Sequence, residues 1–261
     1  AVRAGGQVVC WGGRVPVAGG QVDEVPSPAK VAGIAGAVAV ATASIHTCAL
    51  LRGGQVACLG QNSFGALGDP AKKGDKGPVT VRGLNKAVAI ATSRFGGCAL
   101  RDDGAVTCWG SGAITAWAPG GGADDLSEAK KDRLVLPATV PGVKDVTAIS
   151  TWDLEACVLL RNGTARCWNT ESLSMIPGEP LLQSSAPIGA EEVQSVQDDL
   201  CVLRGGRLAG FGAQPDSAGH LARPLLPAIV GAVAAAGGER RGCAVLQTGG
   251  VACWGGAEEG G

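Results

Sequence analysis

Cys98-Ala-Leu-Arg-Asp-Asp-Gly-Ala-Val-Thr-Cys-Trp-Gly110 decides how this chain is read. Two short apolar runs, Ala99-Leu100 and Val106-Thr107, flank Asp103-Gly104, and Asp-Gly between strand-forming residues signals a turn. A three-residue connection, Asp102-Asp103-Gly104, puts the glycine where the backbone turns left-handed, a conformation open to a residue without Cβ. Counting outward, Arg101 faces Ala105, Leu100 faces Val106, Ala99 faces Thr107 and Cys98 faces Cys108. That last pair falls on a non-hydrogen-bonded site. Cα atoms there stand roughly 4.5 Å apart, within the range a disulfide accepts. The stretch predicts a β-hairpin with one cysteine in each arm.

Working outward, the same pattern recurs. Cys48 to Cys58, Cys157 to Cys167 and Cys243 to Cys253 keep the cysteine spacing around a glycine turn. Cys201-Val-Leu-Arg-Gly-Gly-Arg-Leu-Ala-Gly-Phe211 is a shortened copy without the second cysteine. The chain opens inside another, Ala1-Val-Arg-Ala-Gly-Gly-Gln-Val-Val-Cys10-Trp11-Gly12. An internal repeat of this length governs every other reading.

Ten cysteines need a physical reason. Zinc sites want close pairs such as C-x-x-C with matching partners; none occurs, and the only histidines are His46 and His220. Four hairpin-spanning disulfides, Cys48–Cys58, Cys98–Cys108, Cys157–Cys167 and Cys243–Cys253, account for eight cysteines at once, free buried thiols being the alternative. Persistent disulfides place the chain in an oxidising compartment, hence outside the cytoplasm: secreted, periplasmic or at the cell surface. Cys10 and Cys201 are left unpaired. The partner of Cys10 would precede Ala1, and the position facing Cys201 has become Ala209 or Gly210.

Composition excludes several classes. With 3 Phe, no Tyr and 43 Gly, the core must come from Val, Ala, Leu and Ile. A net charge of −1 gives no electrostatic case for nucleic acid. No apolar run reaches the roughly 18–20 residues of a spanning helix. Ala, Gly and Arg usage points to a bacterium of high genomic GC content.

Before each hairpin runs a small-residue strand: Gly36–Thr42, Ala87–Thr92, Asp145–Ser150, Glu192–Val196 and Gly231–Ala236. After it comes a proline-flanked stretch that suits an outer strand, such as Pro78–Arg82. Residues 19–33 read as a loop followed by an extended segment, Val25–Val31. Four strands per unit, repeated every ~40–60 residues, predict an all-β β-propeller, with small first strands at the crowded inner rim. The expected blades are 35–84, 85–142, 143–189 and 190–230. A partial blade (1–34) precedes them and an incomplete one (231–261) follows. The N-terminus should supply only third and fourth strands, and the natural polypeptide is expected to extend beyond both ends. Alternatively the termini meet in a five-bladed ring.

The run Ala41-Thr-Ala-Ser-Ile-His46-Thr-Cys-Ala-Leu50, then Gly54-Gln-Val-Ala-Cys-Leu-Gly60, then Gln61-Asn-Ser-Phe-Gly-Ala-Leu-Gly68, resembles the regulator-of-chromosome-condensation repeat. That family combines an H-T/S-x-A-L strand, a G-x-V-x-x-W-G strand and a G-x-N-x-x-G-x-L-G loop. Later copies depart from it: Gly96-Gly97, Glu155 and Arg241 stand where His46 stands here. The resemblance implies a propeller, usually of about seven blades, with the histidine as a structural residue. Fold alone does not give activity.

The sequence carries no recognisable catalytic constellation. Ser127-Glu-Ala-Lys130 matches S-x-x-K without its companion motifs, and Asn162-Gly-Thr164 is a sequon placed in a hairpin turn. The tryptophans of each Cys-Trp-Gly (Trp11, Trp109, Trp168, Trp254) are expected to pack between blades. Residues 111–135 break the repeat. This insertion, with Trp117, Asp124, Asp125, Lys130 and Arg133, is the candidate binding loop, because long connections on rigid scaffolds carry function. Residues 171–187 are a weaker second. The chain thus reads as a non-catalytic protein-binding or structural propeller without cofactor or metal. Its partners would be proteins, including copies of itself or other subunits of a surface assembly. The alternative is a secreted inhibitor of an extracellular enzyme, by analogy with inhibitors of similar fold. Nucleotide exchange on a GTPase, implied by the resemblance, does not fit the cysteine usage.

Overall fold

The computed structural model describes residues 1–17, 20–43, 45–72, 77–110, 136–140, 142–152, 155–162, 165–169, 193–197, 200–203, 208–210, 225–226, 230–238 and 241–255, some by backbone alone. Among the described residues six antiparallel sheets follow one another in chain order. The first holds β1 (Val2–Arg3), β2 (Gln7–Val17) and β3 (Gly20–Lys30). The second holds β4 (Ala37–Thr42), β5 (His46–Leu51), β6 (Val56–Gly60) and β7 (Val79–Thr80). The third holds β8 (Ala87–Ser93), β9 (Gly96–Arg101), β10 (Val106–Gly110) and β11 (Ala138–Thr139). The fourth holds β12 (Val146–Trp152), β13 (Glu155–Leu160) and β14 (Ala165–Asn169). The fifth holds β15 (Val193–Gln197), β16 (Leu200–Leu203), β17 (Leu208–Gly210) and β18 (Leu225–Leu226), and the last β19 (Ala232–Gly238), β20 (Arg241–Leu246) and β21 (Val251–Gly255). Each sheet packs on the next, the arrangement of propeller blades.

The hairpin turn fixes the register. Arg101 N–H donates to the Ala105 carbonyl (2.9 Å) and Gly104 N–H to the Arg101 carbonyl (3.0 Å). Gly104 takes φ +76°, and the pairing continues as Leu100↔Val106, Ala99↔Thr107 and Cys98↔Cys108. The same turns couple neighbouring blades. Ala87 N–H donates to the Gly54 carbonyl at 3.0 Å, and Val146 N–H donates to the Gly104 carbonyl at 3.2 Å. Gly54 has φ +77°, and a Cβ on it would stand 2.6 Å from Lys86 Cα, so only glycine fits there. Gly6 meets Gly36 in the same way in the preceding blade pair.

Alternation along the central strands sorts side chains between two interfaces. Cys48, Leu50, Val56 and Cys58 turn toward the third sheet and are buried with Ala87, Ala99 and Trp109. Ala37, Ala49 and Leu59 turn the other way and are buried with Val8, Cys10, Val31 and Ile34. The inner strands each skip one residue in their pairing, between Ala37/Ala39, Ala87/Ala89, Val146/Ala148, Val193/Ser195 and Ala232/Ala234. A bulge at one repeated position bends the strand and turns the skipped residue out. Val38, Val88 and Val233 are exposed for this reason.

Three expectations need correction. First, the opening sheet holds a stub of a second strand, because β1 pairs Val2↔Val8 and Arg3↔Gln7 around the Gly5-Gly6 turn. Second, residues 20–24, expected as loop, are strand: β2 and β3 continue as a long hairpin, with Val15↔Val22 and Val17↔Gly20 opposed. The alternating valines of Arg14-Val-Pro-Val17, with Val22 across from them, are the sequence signal for that pairing. Third, Trp11 is 53% exposed instead of packed between blades. The loop that covers the equivalent Trp109 comes from the preceding blade. The side chains of Trp168 and Trp254 lie outside the described residues.

Candidate functional site

Among the described residues, three disulfides staple hairpins onto themselves. Sγ atoms stand 2.11 Å apart in Cys48–Cys58, 2.09 Å in Cys98–Cys108 and 2.10 Å in Cys243–Cys253, each with Cα atoms 4.0 Å apart. Backbone pairing also opposes Cys157 to Cys167, whose side chains lie outside the described residues. Cys201 faces Ala209. Cys10 is free and buried; burial pushes its thiol pKa up, and the N-terminal ammonium works against that rise.

Between the second and third sheets sit two side chains that lock blade to blade. His46 is buried and its Nε2–H donates to the Gly96 carbonyl at 3.0 Å. Desolvation holds its pKa down to about 4, the bond to Gly96 opposing the fall. Trp109 is buried too, and its Nε1–H donates to the Ala66 carbonyl at 3.0 Å. The glycines that replace the repeat histidine make room for it: a Cβ on Gly97 would stand 2.7 Å from Trp109 Cζ2.

Those contacts hold a loop rigid on one rim. Asn62 clasps it: Oδ1 accepts from Leu67 N–H (2.9 Å), and Nδ2 donates to the carbonyls of Asp69 (2.8 Å) and Lys72. Ala66 and Leu67 are buried beneath, so Phe64 is carried outward. Phe64 is 59% exposed and has φ +57°, a left-handed conformation that is an outlier for a bulky side chain. Its ring meets Phe95, from the turn between β8 and β9, edge to face at 5.0 Å and 64°. The Arg94 guanidinium lies over the Phe95 ring, 5.0 Å from its centroid.

Sequence reasoning misses this cluster. The signal open to it was that two of only three phenylalanines, in a chain without tyrosine, fall in connections rather than strands. The candidate loop residues Trp117, Asp124, Asp125, Lys130 and Arg133 lie outside the described residues. Their connection leaves from Gly110, which pairs with Gly96, the residue after Phe95. It therefore starts at the same rim.

No protein-family model matches the chain, and no curated protein matches it. Solved structures do. Prp20p from Saccharomyces cerevisiae is similar at 16% identity and TM-score 0.53, over 95% of this chain and 80% of that one. Human WBSCR16 is similar at 19% identity and TM-score 0.58, over 87% of this chain and 62% of that one. The ectodomain of the Physcomitrella patens receptor kinase CR4 is similar at 19% identity and TM-score 0.51, over 97% of this chain and 57% of that one. The chain thus covers 62% and 57% of the latter two. The likeness establishes the fold, an RCC1-type β-propeller.

Proposed function

We propose that this chain is a non-catalytic, protein-binding propeller of a secreted or cell-surface bacterial assembly. The observation that carries the reading is the exposed, braced aromatic cluster on a rim of disulfide-stapled blades. An exposed ring on a rigid loop costs little entropy to dock, and aromatics dominate binding hot spots. Prp20p, of the same fold, is described by its binding to Gsp1p and histones, so the scaffold presents protein-binding surfaces elsewhere. The CR4 relative in fold is an ectodomain, and buried disulfides suit the same oxidising setting. Among the described residues no helix is long and apolar enough to cross a membrane.

Cross-linking in the native source tests this. The expected result is a discrete protein partner, or further copies of the chain, recovered from an extracytoplasmic fraction. Recovery of the chain without any protein adduct, or only from the cytoplasm, would overturn the reading.

A further inference from the structure

We infer that the outer edge of β21, with Val251 and Cys253, is a docking site for an extended Pro-x-x-Val segment of a partner protein, which adds there as a fourth strand. The inference rests on the protein-binding reading and adds a second surface to the aromatic rim. Its ground is a strand that the chain already builds three times against the same edge. Ala29, Val79 and Ala138 pair with Cys10, Cys58 and Cys108, the second cysteine position of their sheets. Lys30, Thr80 and Thr139 pair with the residue before that cysteine. The N–H groups of Val31, Val81 and Val140 then donate to the carbonyls of Val8, Val56 and Val106 at 2.9, 2.9 and 2.8 Å. Pro28, Pro78 and Pro137 open these segments, so all three outer strands read Pro-x-x-Val. In the fifth sheet Leu225 takes the same place against Ala209, and a proline again precedes it in sequence.

The last sheet repeats the edge. Val251, Ala252 and Cys253 correspond to Val56, Ala57 and Cys58, because Cys243 faces Cys253 as Cys48 faces Cys58. Among the described residues β21 pairs with β20 alone. Val8, Val56 and Val106 are fully buried, whereas Val251 is exposed and Cys253 with it. Side chains two apart along a strand share a face, so the valine of each outer strand lies on the side of the second cysteine. Val31, Val81 and Val140 are buried there. An incoming valine in this register would cover Val251 and donate its N–H to the Val251 carbonyl. Main-chain bonds give an added strand its affinity, and the sites for alternate side chains give its specificity. Residues 242–255 carry no charge, so this surface selects an apolar side chain at the valine position. Proline has no N–H and is confined to outermost strands, so it leaves the new edge one donor short for any further strand.

The probe is a capped, fluorescently labelled peptide, Gly-Pro-Val-Thr-Val-Arg, the sequence that closes the second sheet at residues 77–82. Two controls carry N-methylvaline or lysine in place of the second valine. Fluorescence polarisation with the full chain, disulfides intact, should show binding of the probe, and each control should bind about tenfold more weakly, the worth of one good hydrogen bond or of the apolar contact. Hydrogen exchange read by mass spectrometry should slow in residues 251–255 when the probe is present. Val251→Lys alters an exposed side chain, so the fold should survive it, and probe binding should fall by about tenfold or more. No binding, equal binding of the N-methylated control, protection confined to other segments, or full binding by Val251→Lys would each overturn the inference. So would a dimer that the probe does not dissociate and that Val251→Lys abolishes, which would give the edge to a second copy. If Val251→Lys still cross-links to the native partner, this docking site is wrong and the protein-binding reading stands; if the unaltered protein cross-links to none, that reading itself fails.

Discussion

Trp109 is the side chain whose removal should loosen the blade stack most. It is fully buried, opposes Gly97 across the hairpin, and donates its indole N–H to Ala66 in the preceding blade. Trp109→Ala should cost about 3–5 kcal/mol, the usual range for emptying a buried aromatic site. Trp109→Phe keeps most apolar contact but leaves the Ala66 carbonyl unpaired, at about 1–3 kcal/mol. Gly97→Ala alone should cost about 1–3 kcal/mol by overpacking, since its Cβ would stand 2.7 Å from Trp109 Cζ2 and 2.9 Å from the Ala91 carbonyl oxygen. Removing the indole removes the first clash and keeps the second. The double variant Gly97→Ala/Trp109→Ala should therefore be less destabilised than the sum of the singles, by about 0.5 kcal/mol or more. Denaturant unfolding followed by far-ultraviolet circular dichroism, with disulfides intact, measures each variant against the unaltered protein. A Trp109→Ala cost below about 1 kcal/mol, or strict additivity, would refute the packing argument.

The same structure sets three further outcomes. His46 has a folded pKa of about 4 against an ordinary 6.5, so the unfolded chain binds the extra proton. Its contribution to stability is present above pH 6.5 and is lost as pH falls toward 4; Cm in urea should drop across that window, and a flat profile would contradict the buried neutral ring. Lys86 has φ +57° where Gly36 and Gly231 hold the same turn at +70° and +77°. Lys86→Gly should raise stability by about 0.5–1 kcal/mol, and a lower Cm would show that the left-handed backbone is not strained. Cys243 and Cys253 are exposed, as are Val245 (43%) and Val251 (65%), whereas Cys48, Cys58, Cys98 and Cys108 are buried. Staged reduction with alkylation should open Cys243–Cys253 first; opening it last would mean that this sheet face is covered.

Much of the blade was legible because its signals are local. Asp-Gly with flanking apolar residues fixes the hairpin register, and the cysteine spacing then falls on facing positions. What escaped depends on packing between blades. Gly96 and Gly97 read as a lost histidine, yet their smallness admits an indole from the facing strand. The Phe64–Phe95 contact joins residues of two blades, and nothing in either segment announces the other. The hairpin of β2 and β3 was hidden by Pro16 and Pro26, which argue locally against strand although valines alternate around Pro16.

Among the described residues three hairpins with facing cysteines are stapled within themselves, and the proposed setting outside the cytoplasm is one in which such staples persist. Non-reducing peptide mapping of protein taken from its native source tests this most directly. Four linked pairs are expected: Cys48–Cys58, Cys98–Cys108, Cys157–Cys167 and Cys243–Cys253. Thiols at these positions that alkylate without reductant, or linkages that join one hairpin to another, would contradict it.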